Sequence, residues 1–150
     1  MARATMSDML ATLRGMTNAG TADYSVGTVT YWTDDQLQAA LDRNRKEVIR
    51  LSVSPLVEYD GGTVSYTRYP TNTMYWEGGT AFELQDSTGA AVGTALYTFE
   101  AERGLVTFAS TTTGVDYYAC GVVFDVDGAA ADVWERKAAQ AADLFTFSTD

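Results

Sequence analysis

The stretch from Phe124 to Phe147, FDVDGAAADVWERKAAQAADLFTF, constrains the fold more than any other part of the sequence. It changes abruptly from an aromatic, β-prone run to an alanine-rich segment with helical periodicity. Asp127 is expected to cap the start of this helix, and Gly128 to let the chain bend into it. One helix face is predicted from apolar residues that recur every three or four positions: Ala130, Trp134, Ala138, Ala141 and Phe145. Because other alanines flank this face, neighbouring helices could approach on more than one side, which favours an assembly element over a catalytic one.

A short first helix is predicted near the N-terminus, where Gly15 supplies a natural C-terminal stop. Its apolar stripe consists of Met6, Met9, Leu10 and Leu13. Residues 17–27 are rich in Asn, Gly, Thr and Ser, and they are predicted to form a loop.

The second helix has the clearest start signal in the chain. Thr33 and Gln36 have the spacing of a capping box, and Trp32 and Leu37 stand where a hydrophobic staple needs them. The pattern predicts a helix of about 18 residues, or roughly 27 Å. It is expected to close at residues 52–55, with a buried face of Leu37, Leu41, Val48 and Leu51.

Four basic residues fall late in this predicted helix: Arg43, Arg45, Lys46 and Arg50. Cations there complement the negative end of a helix. The cluster is therefore predicted to form a dipole-matched surface or ion pairs between subunits, rather than a phosphate site.

From Leu56 to Phe124 the sequence changes to short β-prone runs separated by turn residues, which predicts five to seven antiparallel strands. A hairpin is expected around the Asp60-Gly61-Gly62 turn. The predicted fold class is α+β: a small bundle of three main helices with an antiparallel β module inserted between the second and third. The chain is interpreted as one domain, 1–150, with a helical frame at about 5–52 and 128–146, a β insertion at about 55–125 and a tail at 146–150.

The charged residues are distributed unevenly along the chain. Asp and Glu total 20 against 10 Lys and Arg, a net charge of -10. Residues 52–128 carry ten acids and only Arg68 and Arg103 as bases. Such a surface argues against gripping nucleic acid through its phosphates and would repel a polyanion passing nearby. A solvated acidic face that serves solubility explains the charge equally well.

The sequence offers little catalytic chemistry. It contains no histidine, so neither a Ser-His-Asp nor a Cys-His arrangement is possible. Cys120 is the single cysteine and is expected to be a core thiol. Asp125 and Asp127 resemble the opening of a calcium loop without its remaining ligands. We therefore expect no enzymatic activity, no cofactor and no metal.

Three passages resemble one family: YWTDDQLQAALDRNR, RGLVTFA and the ending DVDGAAADVWERKAAQAADLFTFSTD. They are similar to head–tail connector proteins, also called adaptor or head-completion proteins, of tailed double-stranded DNA bacteriophages. The resemblance covers nearly the whole chain, although the β insertion departs from the smallest, all-helical members.

The resemblance implies a structural virion protein at the head–tail interface, assembled in the host cytoplasm. Its implied partners are the portal protein, neighbouring copies in a ring of roughly twelve subunits, and a stopper or tail-completion protein. Genomic DNA would be passing cargo, and no membrane is involved. The expected interface residues are Arg43, Arg45, Lys46, Arg50, Trp134, Ala138, Ala141, Phe145 and Phe147. Trp134 is expected in the helical core, and the two phenylalanines in a partner's groove.

Two other functions follow from the residues alone. The first is a β-sheet module that binds a sugar or a protein through exposed aromatic residues: Tyr66, Tyr69, Tyr75 and Trp76. The second is a hydrolase that uses carboxylates only, drawn from Glu100, Glu102 and Asp116.

Overall fold

The computed structural model describes residues 2–20 and 23–144. This part of the chain is α+β, with three α-helices and several antiparallel sheets, as the sequence predicts in outline. The helices are α1 Ser7–Thr17, α2 Asp34–Arg43 and α3 Val126–Leu144. The strands are β1 Tyr24–Val26, β2 Val29–Tyr31, β3 Arg45–Val53, β4 Glu58–Asp60, β5 Thr63–Ser65, β6 Arg68–Pro70, β7 Glu83–Gln85, β8 Tyr97–Glu100, β9 Leu105–Phe108 and β10 Tyr117–Phe124.

The chain divides into two compact units. The first, which we call the helical unit, comprises Met1–Asn44 and Asp125–Asp150. The second, the strand unit, comprises Arg45–Phe124. Each unit has its own buried apolar residues and is described by itself.

In the helical unit, α1 continues past its predicted end. Gly15 lies inside the helix, and the left-handed residue that ends it is Asn18, whose φ is 49°. The amide of Asn18 bonds to the carbonyl of Arg14, which satisfies one of the last free carbonyl groups. The predicted loop, residues 17–27, contains β1 and the turn of the β1–β2 hairpin, with Gly27 in the left-handed region, and β2 follows it.

The start of α2 confirms the predicted capping box. The Thr33 hydroxyl accepts from the amide of Gln36, and the Gln36 side chain accepts from the amide of Thr33. The predicted end of this helix is wrong, because α2 stops at Arg43 and β3 begins two residues later. Asn44 ends the helix and donates from its side chain to the carbonyl of Ala40 at 3.0 Å.

The position of β3 changes the predicted buried face. Leu37 and Leu41 are buried on α2 as expected, whereas Val48 and Leu51 lie on a strand and are half-buried. β3 pairs antiparallel with β10 over nearly its whole length. Because strand pairing over this length satisfies the backbone groups of both segments, it prevails over the local helical pattern.

α3 begins at Val126, and its cap lies two residues before the predicted one. The Asp125 carboxylate, not that of Asp127, accepts from the amide of Gly128 at 2.8 Å and so caps the helix. Gly128 lies inside the first turn. The buried face consists of Val126, Ala129, Ala130 and Val133.

The strand unit contains two three-stranded sheets, ordered β3-β10-β7 and β6-β9-β8, and the two-stranded β4–β5 hairpin. The hairpin turns at Asp60-Gly61-Gly62, as predicted. β9, which is the RGLVTFA segment, lies between β6 and β8. The core of this unit is made of Val53, Tyr69, Trp76, Phe82, Leu84, Tyr97, Val106, Phe108, Ala119 and Val123.

Candidate assembly surfaces

Two side chains of α3 hold it against the end of α1. The Trp134 indole donates to the carbonyl of Met16 at 3.3 Å. The Lys137 ammonium donates to the carbonyls of Thr17 and Asn18, both at 3.1 Å. A helix leaves its last carbonyls without intrahelical partners, and a cation is favourable at that negative end. These contacts therefore cap α1 with groups that come from α3.

Lys137 also forms an ion pair with Asp23, at 2.7 Å. The hydrogen bond from Lys137 holds the pKa of the Asp23 carboxyl below its ordinary value of 3.8. One further contact joins the β1–β2 hairpin to α3, because the Tyr24 hydroxyl donates to the Gln140 side chain; within the hairpin, the Tyr24 and Tyr31 rings stack. The middle of α3 is thus fixed by polar contacts as well as by its buried apolar face.

The predicted core position of Trp134 is wrong, because 49% of its surface is exposed. Its indole ring lies beneath Lys137 at the edge of the contact with α1. Ala138 and Ala141, predicted on the same buried face, are exposed. Among the described residues of that predicted face, Ala130 alone is buried. Phe145 lies outside the described residues, as does Phe147.

The outward face of α3 is therefore made mainly of small side chains. From residue 134 to residue 142, only Lys137 and Gln140 are partly buried. The exposed alanines are Ala138, Ala139, Ala141 and Ala142. We call this surface, together with the exposed half of Trp134, the α3 face. Its short side chains would let another backbone approach closely.

A groove borders one side of this face within the helical unit. It is lined by residues of β2, α2 and α3: Tyr31, Trp32, Gln36, Arg136, Ala139 and Gln140. Its volume is about 210 Å³. The wall combines aromatic rings with amide and guanidinium groups, which suits a side chain of a protein partner better than a polyanion.

The four basic residues do not form one helical cluster. Arg43 ends α2 and lies 3.6 Å from the Asp132 carboxylate of α3. Arg45, Lys46 and Arg50 lie on β3, in the other unit, because the helix stops before them. The helix-dipole interpretation therefore applies to Arg43 alone.

Arg50 occupies a bulge in β3. Ala119 pairs with Leu51 and Gly121 with Val48, so two residues of β3, Ile49 and Arg50, lie opposite one residue of β10. Arg50 has a φ of 59°, a left-handed value that is strained for a residue with a side chain. Its guanidinium lies over the Tyr118 ring at 4.5 Å and donates to the carbonyl of Ser87 at 2.9 Å.

Of the four aromatic residues predicted to be exposed for binding, Tyr66 and Tyr75 are half-buried and the other two are buried. Tyr69 and Trp76 are fully buried in the core of the strand unit. Burial raises the pKa of the Tyr69 hydroxyl, which contacts Thr112. The Trp76 indole donates to the hydroxyl of Thr71 and the carbonyl of Thr73. These aromatic side chains hold the unit together and cannot stack on a ligand.

Two of the carboxylates considered for catalysis or metal binding have structural contacts. Glu100 forms an ion pair with Arg103 at 3.1 Å, and Asp125 caps α3. Residues 2–20 and 23–144 contain no group of three or more histidine, cysteine, aspartate or glutamate side chains that could hold a metal ion. Cys120, expected in the core, is half-buried on β10 beside the bulge.

Two surfaces were missed from the sequence. One is the outer edge of β3, because the sequence pattern predicts a helix for this segment. The β-branched pair Val48-Ile49 is the one local feature that favours a strand there. The other is the end of α1, where Lys137 and Trp134 supply the cap.

Within the described part of the chain, no helix is both long and apolar enough to cross a membrane.

Comparison of the chain with protein-family models, with curated proteins and with solved structures gave no match. The resemblance to phage connectors therefore rests on the three quoted passages of the sequence.

Proposed function

We propose that this chain is a structural protein of the neck of a tailed bacteriophage. In this proposal its copies form a ring that joins the portal to the tail or to the next neck protein, and DNA passes through the ring. The helical unit serves as the frame, and the strand unit is the β module inserted between the second and third helices. The protein is not an enzyme and uses no cofactor.

The observation that carries this proposal is the α3 face. Four exposed alanines and a half-exposed tryptophan occupy the outer side of the last helix, although the same helix contains well-buried Ala129 and Val133. An isolated molecule gains little from alanine at exposed positions beyond helix propensity. A helix that packs against other subunits gains a close approach of backbones. The face therefore fits a subunit that is completed by its neighbours or by the portal.

The charge of the chain supports the same function. A ring of copies with a net charge of -10 each would place a strongly negative field around a central channel. At physiological salt this field reaches about 8 Å from the wall. DNA would be repelled from all sides and kept near the axis, so the ring would act as a conduit and would not grip its cargo.

The direct test is capture on the portal ring of the same phage, followed by electron microscopy of the complex. The informative variant is Ala138→Gln with Ala141→Gln, which lengthens two exposed side chains without adding charge. The matched control is Ala39→Gln, at an exposed alanine of α2. We expect the double variant to fold normally and lose capture, and the control to bind like wild type. Unchanged capture by the double variant would remove the α3 face from the contact.

One observation favours a second function, a ligand-binding module. The strand unit has a shallow cleft of about 330 Å³ whose lining includes Phe108, Tyr117 and hydroxyl groups of residues 110–113. Aromatic rings beside hydroxyls suit a sugar. Titration with soluble glycans, followed by amide chemical shifts, distinguishes the two functions, because only a ligand-binding module should respond at this cleft.

A further inference from the structure

The outer edge of β3 is the longest open sheet edge among the described residues. β3 spans Arg45–Val53 and pairs with β10 on one side; no other described strand pairs with it. An open edge presents a row of backbone N–H and C=O groups to any strand that can reach them. Such an edge either is protected against pairing or is used for it.

Part of this edge is built as protection. Charged residues and bulges are the usual means of blocking an edge, and β3 has the bulge at Arg50. Ile49, within that bulge, contradicts a purely protective role, since 81% of its surface is exposed. Arg45 and Lys46 are exposed as well, and among the described residues no ion pair or hydrogen bond involves the side chain of either. Glu47, the next residue, is exposed too, so the edge offers two cations and one acid beside a large apolar side chain.

The β4–β5 hairpin has the complementary properties. Its two strands pair only with each other among the described strands, and an isolated two-stranded hairpin is marginally stable in water. Tyr59, with 76% of its surface exposed, and Val64 both face solvent. Glu58 and Asp60 make the hairpin acidic, whereas the β1–β2 hairpin carries no charge. Arg68 and Thr67 contact Glu58 and partly offset its charge.

We propose that the β4–β5 hairpin of one copy adds to the β3 edge of the next copy and extends its β3-β10-β7 sheet. The acidic hairpin meets the cation at Lys46 on one side of the extended sheet, and the exposed side chains of Tyr59 and Ile49 are covered together on the other side. Each copy then donates one hairpin and accepts one. Such a head-to-tail contact generates a closed ring when the rotation between copies permits it. For its biological setting this inference rests on the proposed ring function.

Site-directed crosslinking tests the contact. Ile49→Cys and Tyr59→Cys are placed in one chain that also carries Cys120→Ser, and a short bis-maleimide is applied to concentrated protein. We expect a ladder of dimers, trimers and larger species on denaturing gels. The matched control replaces Ile49→Cys with Thr80→Cys, an exposed position of the same unit that lies outside β3 and outside the β4–β5 hairpin. A ladder no stronger than that of the control would overturn the proposal, and so would dimers formed by Ile49→Cys alone, because they indicate symmetric pairing of two β3 edges.

A charge swap tests the same contact without a crosslinker. Lys46→Glu should weaken self-association severalfold in sedimentation velocity, and adding Asp60→Lys in the same chain should restore it. The control adds Asp116→Lys, an exposed acid outside the hairpin, which gives the same net charge. Equal recovery with either lysine would mean that only net charge matters, and the specific contact would be refuted.

These outcomes are separable from those of the portal test. If the protein forms the crosslinked ladder but does not bind the portal, the edge contact is supported and the phage function is refuted. If the protein binds the portal but forms no ladder, the phage function is supported and the edge contact is refuted.

Discussion

Gly104 occupies a position where a single added carbon should disrupt the core of the strand unit. Its φ is +61°, in the left-handed region. A Cβ built there would lie 1.8 Å from the carbonyl oxygen of Thr73 and 2.3 Å from the hydroxyl of Thr71. Both oxygens accept hydrogen bonds from the buried indole of Trp76, at 2.9 and 3.1 Å. Gly104→Ala must therefore displace the backbone that satisfies Trp76.

Three contributions set the magnitude for Gly104→Ala. The left-handed conformation costs a residue with a Cβ about 1–2 kcal/mol. Overpacking of a rigid site adds about 1–3 kcal/mol. Loss of the acceptors of a buried N–H adds about 1–3 kcal/mol. Taking the lower limits, we expect the free energy of unfolding to fall by at least about 3 kcal/mol, a large part of the stability of a small domain.

Gly61 provides a matched control in the same unit. It has a similar φ, +54°, and a Cβ there would meet nothing within 4 Å. Gly61→Ala should therefore cost only the conformational part, about 1–2 kcal/mol. Urea denaturation of both variants, followed by near-ultraviolet circular dichroism, measures the difference. If the two substitutions cost the same, the close approach of Gly104 to residues 71–73 does not contribute to stability.

Three more predictions address the helical unit and the proposed DNA channel. Lys137→Met should lower the free energy of unfolding by about 1–2 kcal/mol, because the carbonyls at the end of α1 lose the partly exposed charged donor that α3 supplies. The pKa of Asp23 is lowered in the folded state, so its contribution to stability is complete above its ordinary value of 3.8 and is lost as the pH falls through the folded value. Acid titration should therefore show a smaller loss of stability in Lys137→Met than in wild type. Leu41→Ala, at a fully buried site, should cost about 2–5 kcal/mol in urea denaturation, and Trp134→Ala clearly less, against the sequence-based expectation for the tryptophan. Fluorescence anisotropy should show no sub-micromolar, steeply salt-dependent binding of duplex DNA by the isolated protein; such binding would contradict a repulsive channel wall.

The features that the sequence predicted correctly are determined by local contacts. The capping box of Thr33 and Gln36 lies within one turn of helix. The β4–β5 turn needs two residues with positive φ, and Gly61-Gly62 supplies them, at 54° and 88°. Such signals need no information about distant parts of the chain.

The segment of β3 could not be assigned in this way. In RKEVIRLSV, Val48 and Leu51 are three positions apart, which is helical spacing, and the segment directly follows a true helix. What decides its structure is β10, about 70 residues later in the chain, whose register against β3 runs from Phe124 opposite Arg45 to Tyr117 opposite Val53. Pairing over such a distance leaves little trace in the local pattern. The predicted cluster of four cations failed for the same reason.

The orientation of α3 shows a different limit, since alanine fits both a buried and an exposed face. The spacing of Ala130, Trp134 and Ala138 predicts Trp134 on the buried face, yet Val133 and Ala129 are the fully buried residues. The indole N–H and the Lys137 ammonium instead serve the carbonyls at the end of α1, which no helix can satisfy by itself. Polar contacts with α1 thus fix which side of α3 turns inward, and the opposite side, with its small residues, remains exposed. If those contacts set the orientation, then Trp134→Phe combined with Lys137→Met should weaken both stability and portal capture, while Ala138→Gln with Ala141→Gln should weaken capture alone.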